Sequence, residues 1–378
     1  MKALPSDPPD EAGARPADAR PTATAPSSAA GPSVAPGRAD TSGGAGARRH
    51  GGPVTIYDVA ARAGVGIATV SRTLRGSAPV AEPTRQRVLA AVAELDFRPS
   101  HAGTSLAERR HAANGIVFPD LSGPYYAEVL LGYEEAASQA GRSVIVLGTN
   151  GRPDPVGAVR DLAARVDGLV VLGRTVPDEV IGAIVDSGVP VVLLARPAVA
   201  GADALHTDNR RAAVALGEHL AHHGVRHARF LGSPEDSHDA AERWAGVHDA
   251  LAARGTGLQV TGCSYDEDAG RRAAAGLLAR ADRPDALVCA NDEIALGAIQ
   301  AAEDAGLRVG VDLAVTGWDD VMAARHSRPG LTTVRQPMRT LGALAARALD
   351  DRITGTRTTP RSETLPTDLV VRASCGTH

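Results

Sequence analysis

The chain has 378 residues with 41 Gly and 25 Pro, and it is 43% hydrophobic but only 3% aromatic, so any core must be packed from Val, Leu, Ile and Ala. The net charge of −4 excludes a polycation, and Lys2, the single lysine, excludes both a GxxxxGK phosphate loop and a Schiff-base lysine in the folded part. Cys263, Cys289 and Cys375 lie far apart with no CxxC and offer no metal cage, no apolar run reaches the roughly 18–20 residues of a membrane span, and neither GxSxG nor HExxH occurs.

From Met1 to about Gly52 the sequence is Ala, Pro, Gly, Ser and Thr with scattered charges, too poor in large apolar side chains to offset its ordering entropy, and is expected to be disordered. It has no apolar h-region of a secretory signal. Charge is then partitioned. Residues 51–110 carry eight arginines against five acidic residues, whereas everything after carries 26 Arg against 34 acidic residues. A small basic module thus precedes a large acidic one, the asymmetry that nucleic-acid binding by one end needs.

Helical periodicity comes first in three short pieces. Ile56 to Ala63 follows Thr55, an N-cap candidate with Asp58 three residues on, and is broken by Gly64. Ile67 to Leu74 ends at Gly76, and about Pro83 to Leu95 places Val88, Leu89, Val92 and Leu95 at helical spacing. Helix, short Gly-containing turn, helix is the helix-turn-helix pattern. From Gly115 the pattern changes to apolar strands at Gly115–Phe118, Ser143–Leu147, Gly168–Leu172, Val189–Leu194, Ala228–Leu231, Leu258–Thr261, Ala286–Ala290 and Leu313–Thr316. Helical segments such as Tyr126–Ala140, Arg211–Ala221, Ala241–Arg254 and Glu293–Ala305 lie between them. Most of these strands are continuous Val/Ile/Leu runs, so they are expected to be buried on both faces of parallel sheets, and the alternation is long enough for two doubly wound halves. Ligands bind beyond the carboxyl ends of such strands. Polar residues cluster there: Asp120 and Ser122, Arg196, Asp236 to Asp239, Tyr265 and Asp266, Asn291 and Asp292, Trp318 and Asp319.

The stretch TIYDVAARAGVGIATVSR, Thr55 to Arg72, resembles the N-terminus of the lactose/galactose-repressor (LacI/GalR) family of bacterial transcription regulators. The resemblance continues through Thr84–Val88, Ala93–Pro99, Val117–Pro124, Asp167–Leu169, His206–Asn209, Arg243–Gly246, Ala290–Asp292, Thr316–Asp320, Leu331–Gln336 and Leu369–Arg372, in order and at family spacing. It implies an all-α helix-turn-helix headpiece (residues 53–98), a hinge helix or linker (99–111) and an α/β core like that of periplasmic binding proteins (112–378). The core would be two doubly wound parallel-sheet subdomains, one about 112–207 with 338–365, the other about 208–337 with 366–378. The chain would cross between them near Thr207–Asp208, Gln336–Met338 and Leu365–Pro366.

The resemblance also implies a function: a sequence-specific regulator, expected to repress, acting in the cytoplasm as a homodimer on double-stranded operator DNA, with no membrane, cofactor, metal or catalytic residue. A small-molecule effector, a sugar or other metabolite, would bind between the subdomains and set operator affinity. The second helix would enter the major groove with Ile67, Ala68, Thr69, Ser71 and Arg72. Thr55, Thr84 and Arg85 are further candidates, and Leu106 would wedge into the minor groove, bending the duplex. Ile67 and Ala68 are apolar and suited to thymine methyls. The family's Asn after the hinge proline is Ser100 here, its Ala is Gly103, and hydroxyls usual at two positions are Gly66 and Ala81, which bear on affinity. Effector candidates are Arg243, Asn291, Asp319 and Gln336, with Tyr265 stacking and Ser122, Tyr125, Arg196 and Asp239 around them. Alternatives are a nucleobase-type co-repressor, a solute receptor of the same two-lobed shape, and a sugar-acting enzyme. His219, His222, His223 and His227 read as a solvated helix end rather than a metal site.

Overall fold

The computed structural model describes residues 54–76, 78–98 and 111–376. The N-terminal tail, the basic Arg48-Arg49-His50, the hinge residues Ser100 and Gly103 and the wedge candidate Leu106 lie outside the described residues.

Three helices open the structure: α1 (Ile56–Ala63), α2 (Ile67–Arg75) and α3 (Glu82–Glu94). The Thr55 backbone N–H and hydroxyl both donate to the Asp58 carboxylate, at 2.8 and 2.7 Å, and fix the start of α1. Gly64 and Gly76 end α1 and α2 in the left-handed region, at φ of 64° and 62°, where a Cβ would be strained. Val59, Ala60, Ala63, Val70, Val88, Ala91 and Phe97 form the small core. Leu89, expected inside, is 42% exposed; Ala91 takes the inward position instead.

The rest is two parallel sheets. The first orders β11 (Ser362–Leu365), β5 (Asp203–Thr207), β4 (Val191–Leu194), β3 (Gly168–Leu172), β1 (Ala113–Phe118) and β2 (Ser143–Gly148). The second orders β7 (Leu258–Thr261), β6 (Ala228–Leu231), β8 (Ala286–Cys289) and β9 (Ala314–Thr316). A short antiparallel pair, β10 (Thr333–Arg335) with β12 (Asp368–Val370), flanks β11 in sequence. Strands β1, β3, β4 and β8 are buried throughout. Strands β2 and β7 depart from the expectation of two-sided burial. Each is an edge strand with one neighbour, and Ile145, Val146 and Val260 stay about two-fifths exposed.

Helices α4 (Pro124–Gln139), α5 (Pro155–Ala163) and α6 (Asp178–Asp186) connect the first sheet. Helices α7 (Asn209–His222), α8 (His238–Ala252), α9 (Glu267–Leu278) and α10 (Asp292–Asp304) belong to the second. A one-turn helix, α11 (Met322–His326), follows β9, and α12 (Met338–Thr354) returns to pack on α4. Three helix pairs meet on facing glycines: Gly132 with Gly342, Gly217 with Gly246, Gly270 with Gly297. A Cβ at any of them would run into the partner helix's backbone. Dense use of small residues thus allows close helix crossings in a chain short of aromatics.

The chain passes between the sheets three times, at Thr207–Asp208, Gln336–Met338 and Leu365–Thr367. These crossings are bonded to one another. Asp208 N–H donates to Leu365 O and the Thr367 hydroxyl donates to Asp208 O, both at 2.8 Å, and the Thr207 hydroxyl donates to Gln336 Oε1 at 2.6 Å. Among the described residues no helix is long and apolar enough to cross a membrane.

Candidate functional site

The strand carboxyl ends of both sheets open on one cavity of about 600 Å³. From the first sheet, the loop after β1 brings Asp120 and Ser122, and the start of α4 brings Tyr125 and Tyr126. From the second come Asp236 and Ser237 before α8, Asp239 and Arg243 on α8, Tyr265 and Asp266 after β7, Asn291 and Glu293 at the start of α10, and Asp319 after β9.

Arg243 is 7% exposed and held from all sides. Its Nε donates to Asn209 Oδ1 (2.9 Å), Nη1 donates to Ala290 O (2.7 Å), Nη2 stands 3.6 Å from Asp239 Oδ2, and its guanidinium lies 4.8 Å from the centre of the Trp318 ring. Asp319 is 3% exposed and sits at φ 115°, with Asp320 following at φ 58°. Two successive non-glycine residues in the left-handed region are strained backbone, held because Asp319 N–H donates to Val334 O at 2.8 Å and Gln336 Nε2 donates to Asp319 Oδ1 at 2.5 Å. Burial pushes the Asp319 carboxyl well above the usual carboxylate range; Arg243 opposes the rise, and the nearby Asp292 and Glu293 carboxylates add to it. Burial likewise raises Asp292, whose oxygens accept from the Thr333 hydroxyl (2.6 Å) and Val321 N–H (2.9 Å) and so pin the strained loop to α10. Asp320 points the other way, into Arg335, Arg372 and Arg325 at 2.7, 2.5 and 3.4 Å. Burial would raise it, but these guanidinium groups outweigh that and hold it below the ordinary value. The two adjacent aspartates are therefore not a carboxylate pair.

Tyr125 and Tyr126 meet edge to face, with ring centres 5.4 Å apart. Burial raises the Tyr125 hydroxyl well above its usual value, and the negative charges of Asp239 and Asp319 add to it, so this side chain of the first sheet faces the acids of the second. The Tyr265 hydroxyl donates to Ser233 O at 3.0 Å, and the Ser122 hydroxyl to Asp120 Oδ1 at 2.6 Å.

Of the effector candidates, Ser122, Tyr125, Asp239, Arg243, Tyr265, Asn291 and Asp319 thus line one cavity, while Arg196 and Gln336 lie outside its wall. Arg196 is 1% exposed because the chain turns at Ala195 (φ 55°); its guanidinium donates to Gly173 O and Val176 O, both at 3.1 Å, and pairs with Asp178. Gln336 is buried at a crossing and bridges Thr207 to Asp319. Asn291 lines the cavity, but its side chain is spent on structure: Oδ1 accepts from Ile294 N–H as the cap of α10, and Nδ2 donates to Tyr265 O and Glu293 Oε2. Tyr126, Glu293 and Arg174, absent from the sequence reading of the site, also line the cavity. Tyr126 carried a signal, since one helical step from Tyr125 keeps it at the same strand end; Glu293 and Arg174 carried none.

On the helical headpiece, α2 turns Ile67 (39% exposed), Ala68 and Arg72 outward, while Thr69 and Ser71 are half-buried. Arg72 Nε donates to Ala68 O at 3.2 Å, so its guanidinium lies along the helix surface. Thr84 is half-buried and Arg85 exposed at the start of α3. Tyr57, 67% exposed on α1, is an additional outward aromatic; its place among polar positions of an amphipathic helix was the available sign.

Residues 55–100 match the bacterial regulatory proteins of the lacI family, and residues 218–375 match the periplasmic binding protein-like domain. The HTH-type transcriptional regulator CelR of Thermobifida fusca is 34% identical over 334 residues, covering 85% of this chain and 98% of that protein. Among solved structures, a lac repressor dimer bound to operator and the anti-inducer ONPF superposes with a TM-score of 0.77 at 29% identity, covering 86% of this chain and all of that one. A CelR–cellobiose complex superposes with a TM-score of 0.63 at 32% identity, covering 85% and 99%.

Proposed function

This chain belongs to the lacI family of bacterial regulatory proteins, and on that premise we propose that it is an operator-binding repressor whose grip on DNA is set by a small molecule in the cavity. Its relatives are DNA-binding transcriptional regulators rather than enzymes, and regulation of transcription through DNA is its class of function. The finer reading is ours. Residues 53–98 form the DNA-binding headpiece, 99–111 the hinge and 112–378 the effector core. The protein works in the cytoplasm as a homodimer whose two-fold axis is mirrored in a near-palindromic site. Ile67, Ala68, Thr69, Ser71 and Arg72 read bases, Thr55, Tyr57, Thr84 and Arg85 position the duplex, and Leu106 wedges into the minor groove.

The observation that carries the allosteric half is the Thr207–Gln336–Asp319 chain of hydrogen bonds. It joins the end of a strand in one sheet, a crossing, and the most strongly buried acid of the cavity. A ligand that engages Asp319 acts on the element that sets the angle between the sheets, and its leverage equals its differential affinity for the two arrangements. A sugar fits the cavity: rings of Tyr125, Tyr126 and Tyr265 offer faces, and carboxylates offer fixed acceptors for hydroxyls. Selection of duplexes from a random pool by the full chain, followed by titration with candidate sugars, tests the reading. One preferred palindromic duplex released by a sugar is the expected result; no preference over random duplex at moderate salt, with every ligand tried, would reject it.

A further inference from the structure

The wall of the cavity carries six carboxyl groups, on Asp120, Asp236, Asp239, Asp266, Glu293 and the deeply buried Asp319, against two guanidinium groups, on Arg174 and Arg243. Five helices start at this wall, α5 among them with Asp154 as its cap, and a helix start is ordinarily where an anion is welcome. Here the protein's own side chains take those places. The Asp266 carboxylate caps α9 by accepting from Ala269 N–H at 2.8 Å, the Ser237 hydroxyl caps α8, and Asn291 caps α10. At α4, whose cap is Gly123, the Glu293 carboxylate closes in so far that a Cβ on Gly123 would collide with it. Asp239 occupies the first turn of α8. The buried cation is largely engaged: Arg243 donates to Asn209 and Ala290 and pairs with Asp239, while the exposed Arg174 makes a single long donation, 3.5 Å to Glu235 O.

We infer that the cavity takes an uncharged or positively charged hydroxyl-rich ligand and rejects phosphate esters and sugar acids. The inference rests on the effector reading above and narrows it by charge. An anion entering here meets filled helix starts, a single buried guanidinium already paired with Asp239, and several carboxylates. Hydroxyls and ammonium groups instead find acceptors, and the faces of three tyrosines can stack on a sugar ring or hold a cation.

The test uses the full chain and matched ligands: neutral sugars including cellobiose, amino sugars such as glucosamine, and the phosphate ester or uronic acid of each neutral sugar. Thermal shift finds the binders and calorimetric titration ranks them. The expected result is binding in the neutral or amino set, with the paired anion weaker by more than about tenfold, since placing like charges together costs several kcal/mol. Binding confined to anions, or an anion as tight as its neutral parent, would overturn the inference. In the double variant Asp236→Asn/Glu293→Gln the gap should narrow; an unchanged gap would trace it to shape and overturn the charge argument. If no compound in any set binds, the effector reading itself falls, a result distinct from failure of charge selection.

Discussion

Replacing Gln336 by leucine isolates the bridge between cavity and crossings. The side chain is 4% exposed, and leucine nearly preserves its volume while removing both polar ends. Two bonds go: the 2.5 Å donation to the Asp319 carboxyl and the 2.6 Å acceptance from the Thr207 hydroxyl. Leaving a buried polar group without its partner costs about 1–3 kcal/mol, and the Asp319 carboxyl and the Thr207 hydroxyl each lose one, so the loss should be about 3 kcal/mol. At about 2–4 °C per kcal/mol for domains of about 150–250 residues, the calorimetric midpoint should fall by about 6–12 °C. Thr207→Val removes only the second bond and should cost about 1 kcal/mol. In the double variant the two losses should overlap by about that amount, because the same bond is broken twice. The functional readout is separate: Gln336→Leu should bind operator in a gel-shift titration yet respond weakly to the ligand that releases the wild type. A midpoint within a degree or two of wild type, or strictly additive losses, would show that the bridge is not coupled, and the allosteric route drawn through it would fail.

What the sequence revealed divides along physical lines. Helices α1 and α2 were legible because glycines at 64 and 76 supply the left-handed caps that end them, and apolar spacing marks the inner faces of all three headpiece helices. Strands β3, β4 and β8 were legible as uninterrupted apolar runs. Strands β5, β10, β11 and β12 were missed because they are three to five residues long and carry polar or charged side chains. Asp203 on β5 is wholly buried, which is tolerable only because Arg352 and Arg357, about 150 positions away in sequence, come to it in space. No local pattern announces such a partner. The cavity shows the same division. Asp239, Tyr265 and Asp319 were legible because they follow the carboxyl ends of strands, whereas the turn at Ala195 sends Arg196 under the sheet end instead.

Three further outcomes follow from the headpiece, the hinge and the cavity acid. Arg72→Ala should weaken operator binding by about 1–3 kcal/mol if its guanidinium leaves the helix surface to meet a base, and an unchanged gel-shift isotherm would remove it from the reading face. Leu106→Ala should bind operator with a smaller bend, read from circular-permutation mobility; equal bending would reject the wedge. Asp319→Asn tests the buried acid directly. Burial holds its carboxyl above the value it has in the unfolded chain, so the folded state keeps a proton that the unfolded state has released. In that window stability falls as pH rises, and it levels off above the folded value. Asparagine is neutral throughout, tolerates positive φ, and can still accept from Gln336. The variant's midpoint should therefore decline less than that of the wild type between pH 4.5 and 8, and at pH 8 it should melt above wild type while losing its ligand response. Parallel melting curves for the two proteins would show that Asp319 is charged and adequately paired in the ligand-free fold, and an intact response would take it out of the site.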